Sequence, residues 1–389
     1  MKEGWEYKKI KDIGSVIGGT TPNTNIAEYW DGNFCWISPA ELDGSHYLYN
    51  SKKKITEAAV KAKSLKLLPE GTVILSSRAP IGKVVINKVP TYCNQGFKCV
   101  VCGKEIYNEF LYWWFWGKTD YLNSLGTGAT FKEISKKVVE EITIPVPPLP
   151  EQQRIVSYLD AAFAKIDAMK ANAENALKEA KALFQASLKE MMQPKTGWEE
   201  KKMSNLYDVR DGTHDSPKYH ETGYPLVTSK NLKGGILDMK NVNLISESDY
   251  QAINNRSKVD IGDVLFAMIG TIGNSVYVKE EPNYAIKNMA LFKVSAEQSG
   301  EFLRYYLSND SILLKMQNEA KGTTQKFVSL GYLRNFLISI PPLPEQQRIV
   351  SYLDAIKSRV DRLQSNFDTI SRECDALKQA ILREVFEGE

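Results

Sequence analysis

The sequence predicts an α+β protein built as a pseudo-two-fold circular repeat: two mixed α/β globular domains separated by two long antiparallel coiled-coil helices. Three observations carry this. The fifteen residues Pro147 to Ala161 return letter for letter as Pro341 to Ala355, 194 positions downstream. Each copy opens a run in which apolar residues recur in alternating steps of four and three, the spacing of a helical seam. The remaining sequence holds short β-branched runs such as Val73-Ile74-Leu75 and Val84-Val85-Ile86, broken by Gly and Pro, which read as strands.

The repeat extends beyond its identical segment. Gly4-Trp5-Glu6 returns as Gly197-Trp198-Glu199, Glu109-Phe110-Leu111 as Glu301-Phe302-Leu303, and Ile81-Gly82 as Ile272-Gly273. The expected division is a first globular domain at 1–146, a helix at 147–193, a second globular domain at 194–340 and a second helix at 341–389. Pro150 and Pro344 suit the first helical position, where a missing N–H is no loss, and Glu151 and Glu345 suit the dipole of the first turn. The second helix then carries the seam Ile349, Leu353, Ile356, Val360, Leu363, Phe367, Ile370, Cys374, Leu377 and Ile381. In the same register the first carries Ile155, Leu159, Ala162, Ile166, Met169, Ala173, Ala176, Ala180 and Leu183, a smaller set that suits it as the partner of the bulkier one. About 40 helical residues make a rod of roughly 60 Å, and an antiparallel pairing relates the two domains by an approximate two-fold axis. The aromatic stretch Phe110 to Trp116 reads as core, because adjacent aromatics on a helix cannot all face one ligand.

Composition restricts function without naming it. A net charge of +3 over 389 residues is too small to imply a nucleic-acid partner, so any such surface must be local. No stretch approaches the roughly 18 apolar residues of a membrane span, and the five scattered cysteines suit reduced thiols, so a cytoplasmic, membrane-free location is expected. Cys99 and Cys102 read as core strand residues; the alternative, a zinc site, requires a second ligand pair for which Cys93 is the only nearby candidate.

Enzymatic readings fail at particular residues. Gly82-Lys83 lacks a phosphate loop's first glycine, where Ser77 stands, and its magnesium-ligating hydroxyl, where Val84 stands. The Asn- or Asp-Pro-Pro-aromatic motif of adenine N6-methyltransferases is missing, since Pro147-Pro148 and Pro341-Pro342 are each followed by Leu. No Pro-Asp pair begins the commonest nuclease signature. His214 between Asp211 and Asp215 leaves a metal or acid–base cluster as the alternative to a turn that faces a ligand.

Two helical regions each introduced by Pro-Leu-Pro-Glu-Gln-Gln, with Gly18-Gly19-Thr20-Thr21-Pro22 and Tyr29-Trp30, the Ser76–Gly82 turn, and Asp211–Pro217, resemble the specificity subunit of type I restriction-modification systems over the full length. The resemblance implies a non-catalytic chain with two target-recognition domains. It reads double-stranded DNA at a bipartite site with an unread spacer, and joins two methyltransferase subunits and restriction subunits. It implies no cofactor in this chain: S-adenosylmethionine, ATP and magnesium belong to the partners. The alternatives are a coiled-coil scaffold that reads no DNA, which leaves the two divergent domains unexplained, and a self-sufficient modifying enzyme, which the missing motifs oppose.

Base reading requires Arg or Lys for guanine and Asn or Gln for adenine on exposed loops. The candidates in the first domain are Thr20, Thr21, Ser77, Arg78, Lys83, Asn94, Gln95, Thr130 and Lys132. In the second they are Arg210, Thr213, His214, Ser216, Lys218, Lys230, Asn231, Asn274, Lys287, Thr324, Gln325 and Lys326. For each the alternative is turn chemistry or a solvated surface. Arg78 is the only arginine before Arg154 and lies in a turn that the second domain replaces with Ile269-Gly270, which suits a guanine reader of one half-site.

Overall fold

The structure, a computed structural model, describes residues 4–128, 132–270, 272–320 and 326–388. The chain divides into two compact units, Met1–Asn172 with Asp368–Glu389, and Ala173–Phe367. Each unit holds one globular domain with part of both long helices. Among the described residues no helix is long and apolar enough to cross a membrane.

The first unit is organised around a five-stranded sheet in the order Gly14–Gly18, Phe97–Cys102, Val73–Ser76, Val84–Asn87, Tyr47–Leu48. Val73–Ser76 is buried at every residue because it lies centrally, and its β-branched composition suits a strand covered on both faces. A three-stranded sheet of Lys53–Ile55, Trp30–Ile37 and Thr91–Cys93 abuts it, with the last two strands parallel. The aromatic helix, Asn108–Gly117, is core as expected: Phe110, Leu111 and Phe115 are fully buried, and Trp113 packs edge-on against Phe163 of the first long helix at 4.8 Å. Cys99 is buried with its Sγ 3.6 Å from that of Cys93, and burial pushes its thiol up.

The second unit repeats the plan. A four-stranded sheet runs Asp208–Asp211, Ala290–Lys293, Val264–Phe266, Ser275–Tyr277. Beside it, Tyr224–Thr228 pairs in parallel with Ala285–Lys287, as Trp30–Ile37 does with Thr91–Cys93.

The long helices span Leu149–Met191 and Leu343–Glu387, each starting one residue ahead of the proline expected to open it. The identical segments make matching contacts at the same positions, with partners that differ in part. Fully buried Gln152 accepts from the Tyr107 backbone N–H at 2.8 Å and donates to the carbonyls of Glu105 and Pro147 at 2.9 and 2.7 Å. Gln346 accepts from Ser299 N–H at 2.9 Å and donates to the Pro341 carbonyl and Gln298 Oε1 at 2.9 and 3.0 Å. Asp160 accepts from Trp113 Nε1, and Asp354 from the Tyr305 hydroxyl. The repeat is therefore conserved between the copies where a helix docks onto its own globular domain.

Within each unit the helices run antiparallel. In the first, Lys170 pairs with Asp375 and Lys378 with Asp167; in the second, Lys181 donates to Gln364. The seam departs from the expected register. Ile155, Leu159 and Ile166 are buried and Ala162, Ala173 and Ala180 partly so, but Met169, Ala176 and Leu183 are exposed, and Leu177, Phe184 and Leu188 turn inward instead. On the second helix Ile349, Leu353, Val360 and Cys374 are buried and Ile356, Leu363, Phe367, Ile370 and Ile381 partly buried. Leu377 is exposed, while Lys378 lies over the Phe163 ring at 5.1 Å. A strict 3.5-residue pattern drifts around a 3.6-residue helix, so one step of four where three was expected, Leu159 to Phe163, shifts the contact line. That shift puts Phe163, Leu177 and Phe184 on the first seam, which is bulkier than its Ala-rich reading implied.

Candidate nucleic-acid interface

In the first unit three segments converge. Gly19 packs so closely on the Asn94 backbone that a Cβ would sit 2.0 Å from the Asn94 carbonyl oxygen, and Thr20 N–H then donates to the Cys93 carbonyl at 2.9 Å. Thr21 donates its hydroxyl hydrogen to Gln95 Oε1. Asn94 Oδ1 closes the next turn by accepting from Gly96 N–H at 2.8 Å, and the Gly96 carbonyl accepts from Ser77 N–H at 2.8 Å. One polar surface therefore gathers Thr20, Thr21, Asn94, Gln95 and Arg78, whose side chain is 35% exposed. Lys132 is exposed beside Glu133.

The second unit builds the same junction with different side chains. Gly212 again allows close approach, a Cβ there falling 2.4 Å from the Ile286 carbonyl oxygen. Thr213 N–H donates to that carbonyl at 3.0 Å and its own carbonyl accepts from Asn288 N–H at 3.1 Å. His214 joins Asn288 Oδ1 and Asp211 Oδ2, both at 2.9 Å, and Arg256 pairs with Asp211. Asn288, at φ +54°, is the hub. It was not among the expected residues; the junction's own anchors, Cys93 and Ile286, put Lys287 and not Asn288 at the place of Asn94. Lys218, Lys230 and Lys326 are exposed, Lys326 donating to the Gln317 carbonyl at 3.3 Å.

Several expected contacts are corrected. Ser77 is fully buried and accepts from Lys98 Nζ at 3.0 Å, so it supports the turn from beneath. Asn231 is buried, accepting from Thr228 N–H and donating to the Asp238 carbonyl, both at 2.9 Å; it caps a turn, as Glu41 does by accepting from Ser38 N–H. Lys287 is buried and donates to Ser216 Oγ at 2.6 Å. Arg210 is turned onto Asp208, with Nε and Nη2 at 2.8 and 2.6 Å from one carboxylate oxygen. Lys83 donates to the Leu42 carbonyl at 2.7 Å and lines a separate cleft of about 970 Å³ with Thr119 and Arg383. Asn274, at the matching place, is half-buried and its carbonyl accepts from Ala267 N–H at 2.8 Å. Thr130, Thr324 and Gln325 lie outside the described residues.

His214 gives this surface a pH dependence. Its hydrogen bonds to Asn288 and Asp211 require both ring nitrogens to donate, which raises its pKa; the nearby Arg256 opposes this weakly. Burial pushes the Asp211 carboxyl up, but the bonds from His214 and Arg256 outweigh it and hold it below the usual range. A group whose pKa is raised by folding contributes stability that is full below its unfolded value, about 6.5, and is lost as pH rises through the folded value. Stability of the second unit is expected to fall by a small amount as pH rises above about 6.5, with His214→Gln flat across that rise; identical pH profiles for the two proteins would contradict this.

A family profile described as "Type I restriction modification DNA specificity domain" matches residues 2–179 and 195–366. The MjaIX type I restriction enzyme specificity subunit of Methanocaldococcus jannaschii is 31% identical over 97% of this chain and 92% of its own length. The EcoKI specificity subunit of Escherichia coli is 25% identical over 100% of this chain and 90% of its own. Among solved structures, a chain from a type I R-M system, in a study of its complex assembly and conformational transition, superimposes with a TM-score of 0.78 at 20% identity, covering 99% of this chain and 98% of that one. The HsdS subunit from Thermoanaerobacter tengcongensis gives 0.62 at 21% identity, covering 100% and 98%.

Proposed function

Because the chain belongs to the type I restriction-modification DNA specificity family, whose members are non-catalytic DNA-recognition subunits, we propose that each of its units reads one half of a bipartite site and that the bases between go unread. The observation that carries this is the shared junction around Gly19 and Gly212. One equivalent backbone bond, from Thr20 N–H to the Cys93 carbonyl and from Thr213 N–H to that of Ile286, anchors a surface of Thr20, Thr21, Gln95 and Arg78 in one unit and of Thr213, His214 and Asn288 in the other. One frame with two side-chain sets suits two different half-sites. The candidates exposed on these frames would contact bases or phosphates, with Lys132, Lys218, Lys230 and Lys326 best suited to phosphates.

The repeat also supports two copies of one partner. Buried identities such as Gln152 and Gln346 follow from docking each helix, but Gln153, Ser157 and Tyr158 and their counterparts Gln347, Ser351 and Tyr352 are exposed, Tyr158 at 51% and Tyr352 at 46%. Exposed identity serves no fold, and it suits two methyltransferase subunits that bring S-adenosylmethionine, with restriction subunits that bring ATP and magnesium, in the cytoplasm.

The test is to mix the purified chain with its methyltransferase, S-adenosylmethionine and random-sequence DNA and to map methylated adenines. Two defined segments around a gap of fixed length are expected. Methylation that ignores the chain would favour a scaffold, and methylation without the partner a self-sufficient enzyme.

A further inference from the structure

We infer that one pair of facing positions sets base choice in each unit: Arg78 with Glu133 in the first, reading guanine, and Ile269 with Phe327 in the second, reading the 5-methyl group of thymine. This rests on the DNA-reading function proposed above.

The two pairs occupy one structural position. Arg78 and Glu133 form an isolated antiparallel bridge, and so do Ile269 and Phe327. The flanking bonds agree: Ile134 N–H donates to the Ser77 carbonyl at 3.0 Å, and Val328 N–H to the Met268 carbonyl at 2.9 Å. The turns agree too, since Gly82 N–H donates to the Ser76 carbonyl and Gly273 N–H to that of Ala267. The backbone is held constant while the chemistry at the bridge is exchanged as a set.

In the first unit that set is charged. Glu133 Oε2 lies 3.8 Å from Arg78 Nη1, while its Oε1 accepts from Lys98 Nζ at 3.0 Å. Lys98 is 8% exposed and also donates to Ser77 Oγ and the Gln95 carbonyl, so the carboxylate is fixed from below. Gly96 leaves room beside the arginine, a Cβ there falling 3.3 Å from Arg78 Nε. Glu133 is thus a positioning residue. It holds one corner of a partly exposed guanidinium, leaving other N–H groups for the O6 and N7 of guanine. In the second unit all three charges are gone. Strand register puts Lys98 opposite Leu75 and Ala290 opposite Phe266, so Ala290 takes the place of the lysine. Ile269 replaces the arginine and Phe327, 38% exposed, the glutamate. An exposed aromatic beside an aliphatic side chain offers no hydrogen bond and matches the one apolar group in the major groove, the thymine methyl.

The test uses the chain in complex with its methyltransferase and duplexes carrying the mapped target. Each guanine of the first half-site is replaced in turn by 7-deazaguanine, and each thymine of the second by uracil. One 7-deazaguanine is expected to weaken wild-type binding at least about fivefold, to do nothing further in Arg78→Ala, and to have a reduced effect in Glu133→Gln. One uracil is expected to weaken binding about fourfold, the equivalent of one buried methyl, with no effect in Phe327→Ala. Loss of stability alone would weaken all duplexes equally and leave these ratios unmoved. If the bipartite motif is found and every modified duplex binds wild type like the unmodified one, the inference falls and the proposed function stands. If the mapping finds no such motif, both fall.

Discussion

Deleting Ala173–Glu179 from the first long helix together with Asn366–Arg372 from the second is expected to shorten the unread gap by about three base pairs while both half-sites stay the same. Seven residues correspond to about 10 Å of helix, and the rise of DNA is about 3.4 Å per base pair. A heptad nearly preserves the contact face, which turns by only about 20°. Removing equal lengths from both helices keeps the antiparallel register, which places Lys170 with Asp375 in the first unit and Lys181 with Gln364 in the second. Adenine mapping of the shortened protein gives the gap directly. An unaltered gap would show that the helices do not set it.

Gln152→Ala is expected to destabilise the first unit by about 2–4 kcal/mol. The substitution leaves the Tyr107 N–H and the carbonyls of Glu105 and Pro147 without their partner where the helix enters, and an unsatisfied buried group costs about 1–3 kcal/mol. The sum is held down because water reaches part of the opened site. Gln346→Ala should do the same to the second unit through Ser299, Gln298 and Pro341. Hydrogen exchange localises each effect. Protection should fall in the globular part of the mutated unit and hold in the other, and protection unchanged by either substitution would remove these glutamines from the docking account.

The architecture was legible because its signals are local or repeated. A fifteen-residue identity fixes the duplication whatever the tertiary context, and the aromatic helix from Asn108 is too apolar on every side to lie at a surface. The seam was legible only in part, because steps of four and three do not say where the extra residue falls; Met169, Ala176, Leu183 and Leu377 mark that limit. The site was less legible still. Ser77 and Asn231 have the composition of DNA contacts, but the first answers a buried lysine and the second caps a turn, both needs that arise from residues distant in sequence. Glu133 went unrecognised for the same reason: its partners, Arg78 and Lys98, lie 55 and 35 positions upstream. Asn288 was not recoverable from the repeat, because the offset at this junction is 193, Thr20 with Thr213 and Cys93 with Ile286, which pairs Asn94 with Lys287.

The most direct test of two units reading two half-sites is to duplicate one reader. A chain in which residues 1–146 also replace 194–340 keeps both long helices and both docking glutamines. Mapping methylated adenines with the partner methyltransferase should return a site made of two copies of the first half, with the second half gone. Retention of the original two-part motif would contradict the account.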